Sequence, residues 1–234
     1  MSRRVRRWIA LAVVLIVAVL GAAFAVVFLG GDAPPPPSLS SDEAAATPEA
    51  AATPEPAATA EPTGSSSWTV TAGGETFVGY RVREEFASIG VKDAVGRTPD
   101  VSGTVDVEGE TISAAQLDAE LGTLVSDDGR RDNALRERGI ETGRFPTASF
   151  ELSEPFELSR RKTTTPGTLT LHGETGPIEV TLRSQRLGDS TIELAGSAPI
   201  AFADFGIEPP SIAGVVTVED HGVLEFKIRL QPAA

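Results

Sequence analysis

Residues 167–183, GTLTLHGETGPIEVTLR, decide how this chain is read. Leu169 and Leu171 alternate with Thr168, Thr170 and His172. After Gly173-Glu174-Thr175-Gly176-Pro177 the alternation resumes, with Ile178, Val180 and Leu182 set against Glu179, Thr181 and Arg183. A period of two puts apolar side chains on one face of an extended chain and polar ones on the other. A helix would need apolar spacings of three and four, which neither arm has. The five intervening residues include two glycines and predict a turn between antiparallel strands.

The same period recurs on both sides of this hairpin. Val78, Tyr80, Val82 and Phe86 share one face of a first strand, opposite Gly79, Arg81 and Arg83. Glu84 interrupts that apolar face, so this end of the strand is expected near an opening. Val101, Val105 and Val107 alternate with Ser102, Thr104, Asp106 and Glu108. Gly109-Glu110 then turns the chain toward Leu117, Ala119 and Leu121. Phe150 and Leu152 flank Glu151, and Ile192, Leu194, Gly196, Ala198 and Ile200 share one parity. Leu224, Phe226, Ile228 and Leu230 alternate with Glu225, Lys227 and Arg229. So many short alternating segments predict a mainly β domain, an antiparallel barrel or sandwich. The exception is 127–143, DDGRRDNALRERGIETG, where Asp127 or Asp128 can cap a short helix through Leu135 and Arg138 that Gly139 or Gly143 ends. Leu135 and Ile140 are its expected buried contacts.

The N-terminal third is built differently. Residues 1–8 carry Arg3, Arg4, Arg6 and Arg7, and residues 9–29, IALAVVLIVAVLGAAFAVVFL, hold no charged or polar side chain. At ~1.5 Å per residue that run spans a hydrocarbon core of roughly 30 Å. The arginines place its start in the cytoplasm and the residues after it outside the cell membrane. Ala23-Phe24-Ala25 also fits a signal-peptidase pattern, but the run is long for a signal peptide and continues past Ala25, which favours an uncleaved anchor. Residues 30–67, with a Pro34 to Pro37 run and loose Ala-Thr-Pro-Glu repetition, read as a disordered linker that holds a domain of residues 68–234 off the membrane.

Composition removes several functions. The chain has no cysteine, so disulfides, thiolate metal sites and cysteine nucleophiles are excluded. Residues 68–234 hold 27 acidic and 16 Lys or Arg side chains, a net −11, which repels nucleic acid. The two histidines, His172 and His221, sit at turns without chelating spacing. Asp127, Asp128 and Asp132 stand among Arg130, Arg131, Arg136 and Arg138, which would keep them ionised, so capping and ion pairing account for them. No nucleophile elbow, phosphate loop or dinucleotide fingerprint occurs. The residues point to no catalytic group, metal or cofactor. What they offer is an apolar interior, filled or hollow.

The order of these pieces resembles the YceI-like family. The resemblance spans residue 68 to about residue 230. It rests on Trp68-Thr69-Val70, Arg131-Asp132-Asn133-Ala134-Leu135-Arg136, Phe145-Pro146-Thr147-Ala148-Ser149-Phe150, Gly167 to Gly173 with Pro177-Ile178, and Asp204-Phe205-Gly206-Ile207. It implies an antiparallel lipocalin-like β-barrel with one or two short helices, whose apolar cavity holds a polyisoprenoid or another long-chain lipid. Ala134 and Glu84-Glu85 stand where the family often has histidine, so its polar head-group contacts do not carry over. A hollow barrel would be lined by Val82, Phe86, Val105, Leu117, Leu121, Phe150, Leu169, Leu171, Val180, Leu182 and Phe226, with Leu135 and Phe205 closing an end. The expected partners are such a lipid and, through residues 9–29, the membrane; homodimerisation stays open. The alternative is a filled barrel serving as a cell-envelope interaction or stress-response module.

Overall fold

In the computed structural model, residues 33–40, 65–87, 90–209 and 216–233 are described. The apolar run 9–29, its basic flank and residues 41–64 lie outside them. Among the described residues no helix is long and apolar enough to cross a membrane. The strands are β1 (Ser65–Val70), β2 (Phe77–Phe86), β3 (Gly90–Thr98), β4 (Val101–Glu108), β5 (Thr111–Glu120), β6 (Val125–Ser126), β7 (Thr147–Leu152), β8 (Phe156–Glu157), β9 (Thr163–Leu171), β10 (Glu174–Leu187), β11 (Thr191–Ala201), β12 (Val216–Val218) and β13 (His221–Pro232). The ladder runs β1-β4-β5-β7-β9-β10-β11-β13, and β1 pairs with β13 to close an antiparallel eight-stranded ring.

Several of these strands continue one another. β13 pairs first with β2, through Val223↔Arg81 to Lys227↔Phe77, and then with β1, through Leu230↔Val70. β2 pairs with β3 as β1 pairs with β4, so 65–108 is one long hairpin. Between Thr69↔Thr104 and Val78↔Thr98 one side advances nine residues and the other six, so three extra residues bulge out. The ladder is bridged across the bulge: Thr71 N donates to Arg229 O at 2.8 Å and Arg229 N donates to Thr76 Oγ1 at 3.2 Å. β5 likewise resumes as β6 after a 3-10 turn at Leu121–Thr123. Such interruptions let a sheet bend enough to close.

The period-two reading holds along these strands. Val105, Val107, Ile112, Leu169, Ile178, Val180, Leu182, Ile192, Ile228 and Leu230 are all buried in one cluster. The central turn is shorter than expected. Only His172 and Gly173 form it, with φ of +55° and +82°, the geometry of a two-residue hairpin turn. Glu174-Thr175-Gly176-Pro177 belong to β10, with Gly176 opposite Leu169 and Pro177 opposite Thr168. These residues look like a turn because Gly and Pro usually break strands. β10, however, gains its second neighbour β11 only from Thr181 onward, so Pro177 lies where a missing N–H breaks no ladder.

A short helix, α1 (Gly129–Ala134), follows β6 and runs on as a π turn, Leu135–Gly139. Its N-cap is Asp128, whose Oδ1 accepts from Arg130 N at 2.9 Å. Burial alone would raise the Asp128 carboxyl, but the hydrogen bonds from Arg130 outweigh it and hold that carboxyl below the ordinary range. Within the stretch read as a linker, residues 34–40 lie against the outer wall of the barrel: Arg81 Nη2 donates to Pro34 O at 2.6 Å and Ser40 N donates to Glu193 Oε1 at 2.6 Å.

Candidate functional site: an apolar cavity in two chambers

The interior of the barrel is hollow. One chamber lies within the eight-stranded ring, walled by Val105, Ile112, Phe150, Val180, Leu194 and Ile228 among others. The second lies toward α1, walled by Val82, Leu121, Leu135, Ile140, Leu171 and Phe202 among others. They abut at Val78, Ala148 and Leu224, which line both. Their volumes are about 130 Å3 on the α1 side and about 80 Å3 within the ring. A single water needs only about 10–15 Å3 of such space. The walls are hydrocarbon apart from Asp118, Ser149 and Thr165 in the ring chamber and Tyr80, Glu84, Thr98 and Arg131 in the α1-side chamber.

The strand pattern creates this space. β5 and β7 meet at Ala119↔Ala148, two small residues where the next rung of the same face carries Leu117↔Phe150. β11 and β13 meet at Gly196↔Phe226. A Cβ on Gly196 would lie 2.6 Å from Leu182 Cβ and 2.8 Å from Phe226 Cζ, so glycine is what lets those two side chains fill the wall there.

The sequence-expected lining residues divide cleanly. Val105, Leu117, Phe150, Leu169, Val180, Leu182 and Phe226 face the ring chamber, and Val82, Leu121, Leu135 and Leu171 face the α1-side chamber. Phe86 lines neither; it sits on the last rung of β2, opposite Gly90 and Val216. Phe205 is 2% exposed and packs in the core cluster, so it supports the wall and does not line it. Tyr80, Ala148 and Arg131 line the cavity without belonging to the expected set. A signal for Ala148 existed: it shares parity with Phe150, and a small side chain at an inward position leaves room.

The polar end of the α1-side chamber is tied down by the RDNALR segment. Arg131 grips Glu84 with two hydrogen bonds, Nε to Oε1 at 3.0 Å and Nη2 to Oε2 at 2.9 Å. Asp132 Oδ1 accepts from Ser126 Oγ at 2.6 Å and Ser126 N at 3.0 Å, which ties α1 to β6. Burial works against the Arg131 charge, yet Glu84 more than offsets it and the guanidinium stays charged. Burial pushes the Tyr80 phenol above its ordinary value, so it stays neutral. Glu84 therefore stands in the wall of the α1-side chamber as half of an ion pair.

Replacing Arg131 with methionine strands the Glu84 carboxylate against an apolar wall. Loss of one partner of a well-buried pair costs about 3–5 kcal/mol, and partial exposure of both side chains brings the expected loss to about 2 kcal/mol. Urea denaturation checks this. Arg131→Lys should recover only part of the loss, because an ammonium cannot reproduce the two-pronged contact.

Comparison with known proteins places this architecture. The sequence model of the YceI-like domain matches residues 68–230. The chain belongs to the YceI-like family. YceI-like relatives include a UPF0312 protein of Vibrio vulnificus, 26% identical over 159 residues, covering 64% of this chain and 82% of its own. A UPF0312 protein of Vibrio cholerae is 24% identical over the same shares. Among solved structures, a polyisoprenoid binding domain from Saccharophagus degradans superposes with a TM-score of 0.55 at 19% identity, covering 71% of this chain and 98% of its own. Burkholderia cenocepacia BcnA superposes with a TM-score of 0.51 at 17% identity, covering 64% and 95%. These structures share the YceI-like fold with this chain.

Proposed function

We propose that this chain is a membrane-tethered extracytoplasmic binding protein that sequesters or carries one amphiphilic long-chain lipid, a polyisoprenoid such as a quinone or a prenyl-phosphate precursor. The observation that carries this reading is the pair of abutting hydrocarbon-walled chambers. An isoprenoid tail offers methyl and methylene area with few directional groups, and such a wall rewards its burial at about 25 cal/mol per Å2 removed from water. The Saccharophagus degradans relative, a polyisoprenoid binding domain, supports the same ligand class. The apolar run at 9–29, with arginines before it, supports the tether and the side of the membrane. The family's binding-protein fold and the hydrocarbon wall need no covalent chemistry and no cofactor.

Native mass spectrometry of the full-length protein, followed by organic extraction, tests the reading. A co-purifying lipid, or uptake of added prenyl lipids by the extracted protein, is the expected result. An apo mass that takes up none of them would point to an envelope interaction module.

A further inference from the structure

On a barrel wall the residues alternate between the interior and water, so the outward charged positions of β13 should be solvated. They are not. Glu225 and Lys227 on β13 are 3% and 4% exposed, and Glu193, opposite Arg229 on the neighbouring strand β11, is fully buried. Part of the cover is residues 34–40. Leu39 is fully buried, and the segment is held at both ends. At its start Arg81 Nη2 donates to Pro34 O at 2.6 Å and Arg97 Nη2 donates to Pro35 O at 3.1 Å. At its end Ser40 N and Oγ donate to the two oxygens of Glu193, each at 2.6 Å, and Arg229 Nη2 donates to Ser40 Oγ at 2.9 Å.

The chemistry of these contacts is specific. Proline carbonyls have no N–H beside them and sit on a chain already extended, so two arginine forks can take them at little ordering cost. Arg97 is itself braced, its guanidinium 4.0 Å above the Phe77 ring, and Arg81 is braced by Glu225 at 2.6 Å. At the far end one serine hydroxyl donates to a carboxylate and accepts from a guanidinium, a pairing that alanine cannot make. Burial by itself would raise the Glu193 carboxyl; the bonds from Ser40 and Arg229, with the charge of Lys227, overcome this and hold it below the ordinary range.

We infer that the outer wall formed by β11, β13, β2 and β3 is a docking groove for an extended Pro-Pro-Pro-Pro-Ser-Leu-Ser segment, and that its occupant is residues 34–40 of this chain. This inference is independent of what the cavity holds. It makes residues 34–40 part of the folded domain, in place of a simple spacer.

Thermolysin, which cuts before leucine, reads the docking directly at the Ser38–Leu39 bond of the full-length protein. Cleavage there should be at least ~100-fold slower than in a synthetic peptide of residues 30–45, because a docked backbone must first detach. Ser40→Ala on the strap and Glu193→Ala on the wall should each bring the rate at least ~10-fold closer to that of the peptide. Unchanged cutting within β9 and β10 would show the barrel intact in both variants. Wild-type cleavage at the peptide's rate would overturn the inference. So would full protection in both variants with the barrel intact.

Discussion

Exchanging Gly103 for alanine should cost the barrel about 4 kcal/mol, read as a large fall in the urea midpoint with little change in slope. Gly103 lies in β4 opposite Leu117, at φ +140°, a conformation that side chains rarely adopt. A Cβ there would fall 2.1 Å from Gln116 O and 2.8 Å from Leu117 Cα, both backbone atoms of β5. No rotamer change relieves a clash with backbone, so β4 and β5 must part. Against a total stability of about 5–15 kcal/mol, the loss should leave a sizeable unfolded population at physiological temperature. Gly122→Ala is the control. Nothing lies within 4 Å of its Cβ and its φ is ordinary, so the midpoint should hardly move.

Ala148→Trp should weaken uptake of long prenyl chains over 100-fold while sparing the fold. Ala148 is 8% exposed and lines both chambers where they abut, so an indole there projects into empty space and divides the cavity. A side chain that fills a void escapes much of the 1–3 kcal/mol typical of overpacking. A ligand confined to one chamber forfeits the burial of whatever part of its tail reached the other. At about 0.8 kcal/mol per methylene, four lost methylenes amount to over 100-fold in affinity. Titration with prenyl alcohols of increasing length, followed by native mass spectrometry, checks the claim. Wild-type affinity should climb with chain length, whereas the variant should stop climbing at the length one chamber accommodates. Equal climbs in both would mean that a tail never passes Ala148.

Most of the ring is legible in the chain alone, because alternation reports which side of a sheet faces inward. Ile192, Leu194, Ile228 and Leu230 are buried as their parity requires. Hollowness is not legible in that way. A side chain lining a void and one meshed with its neighbours share the same parity, so Val105, which lines the ring chamber, and Val107, which is buried beside it in the core, look alike in the sequence. Phe205, expected to close an end, lies in a 3-10 turn where no alternation guides the reading. The turn around His172 looks longer in the sequence than it is, because Gly176 and Pro177 carry a local preference that the pairing with β9 overrides. The docking of residues 34–40 leaves no periodic trace. It depends on Arg81, Arg97, Glu193 and Arg229, which come from four strands and converge only after the barrel has closed.

The register slip in the long hairpin, with its counterpart where β5 gives way to β6, makes the cylinder jointed. Each slip ends one run of rungs and starts another, with Arg229 clasping the gap through Thr71 and Thr76. The collar made by β2, β3, β6 and α1 nevertheless stays joined to the eight-stranded sleeve through β13, which pairs with β2 along one half and with β1 along the other.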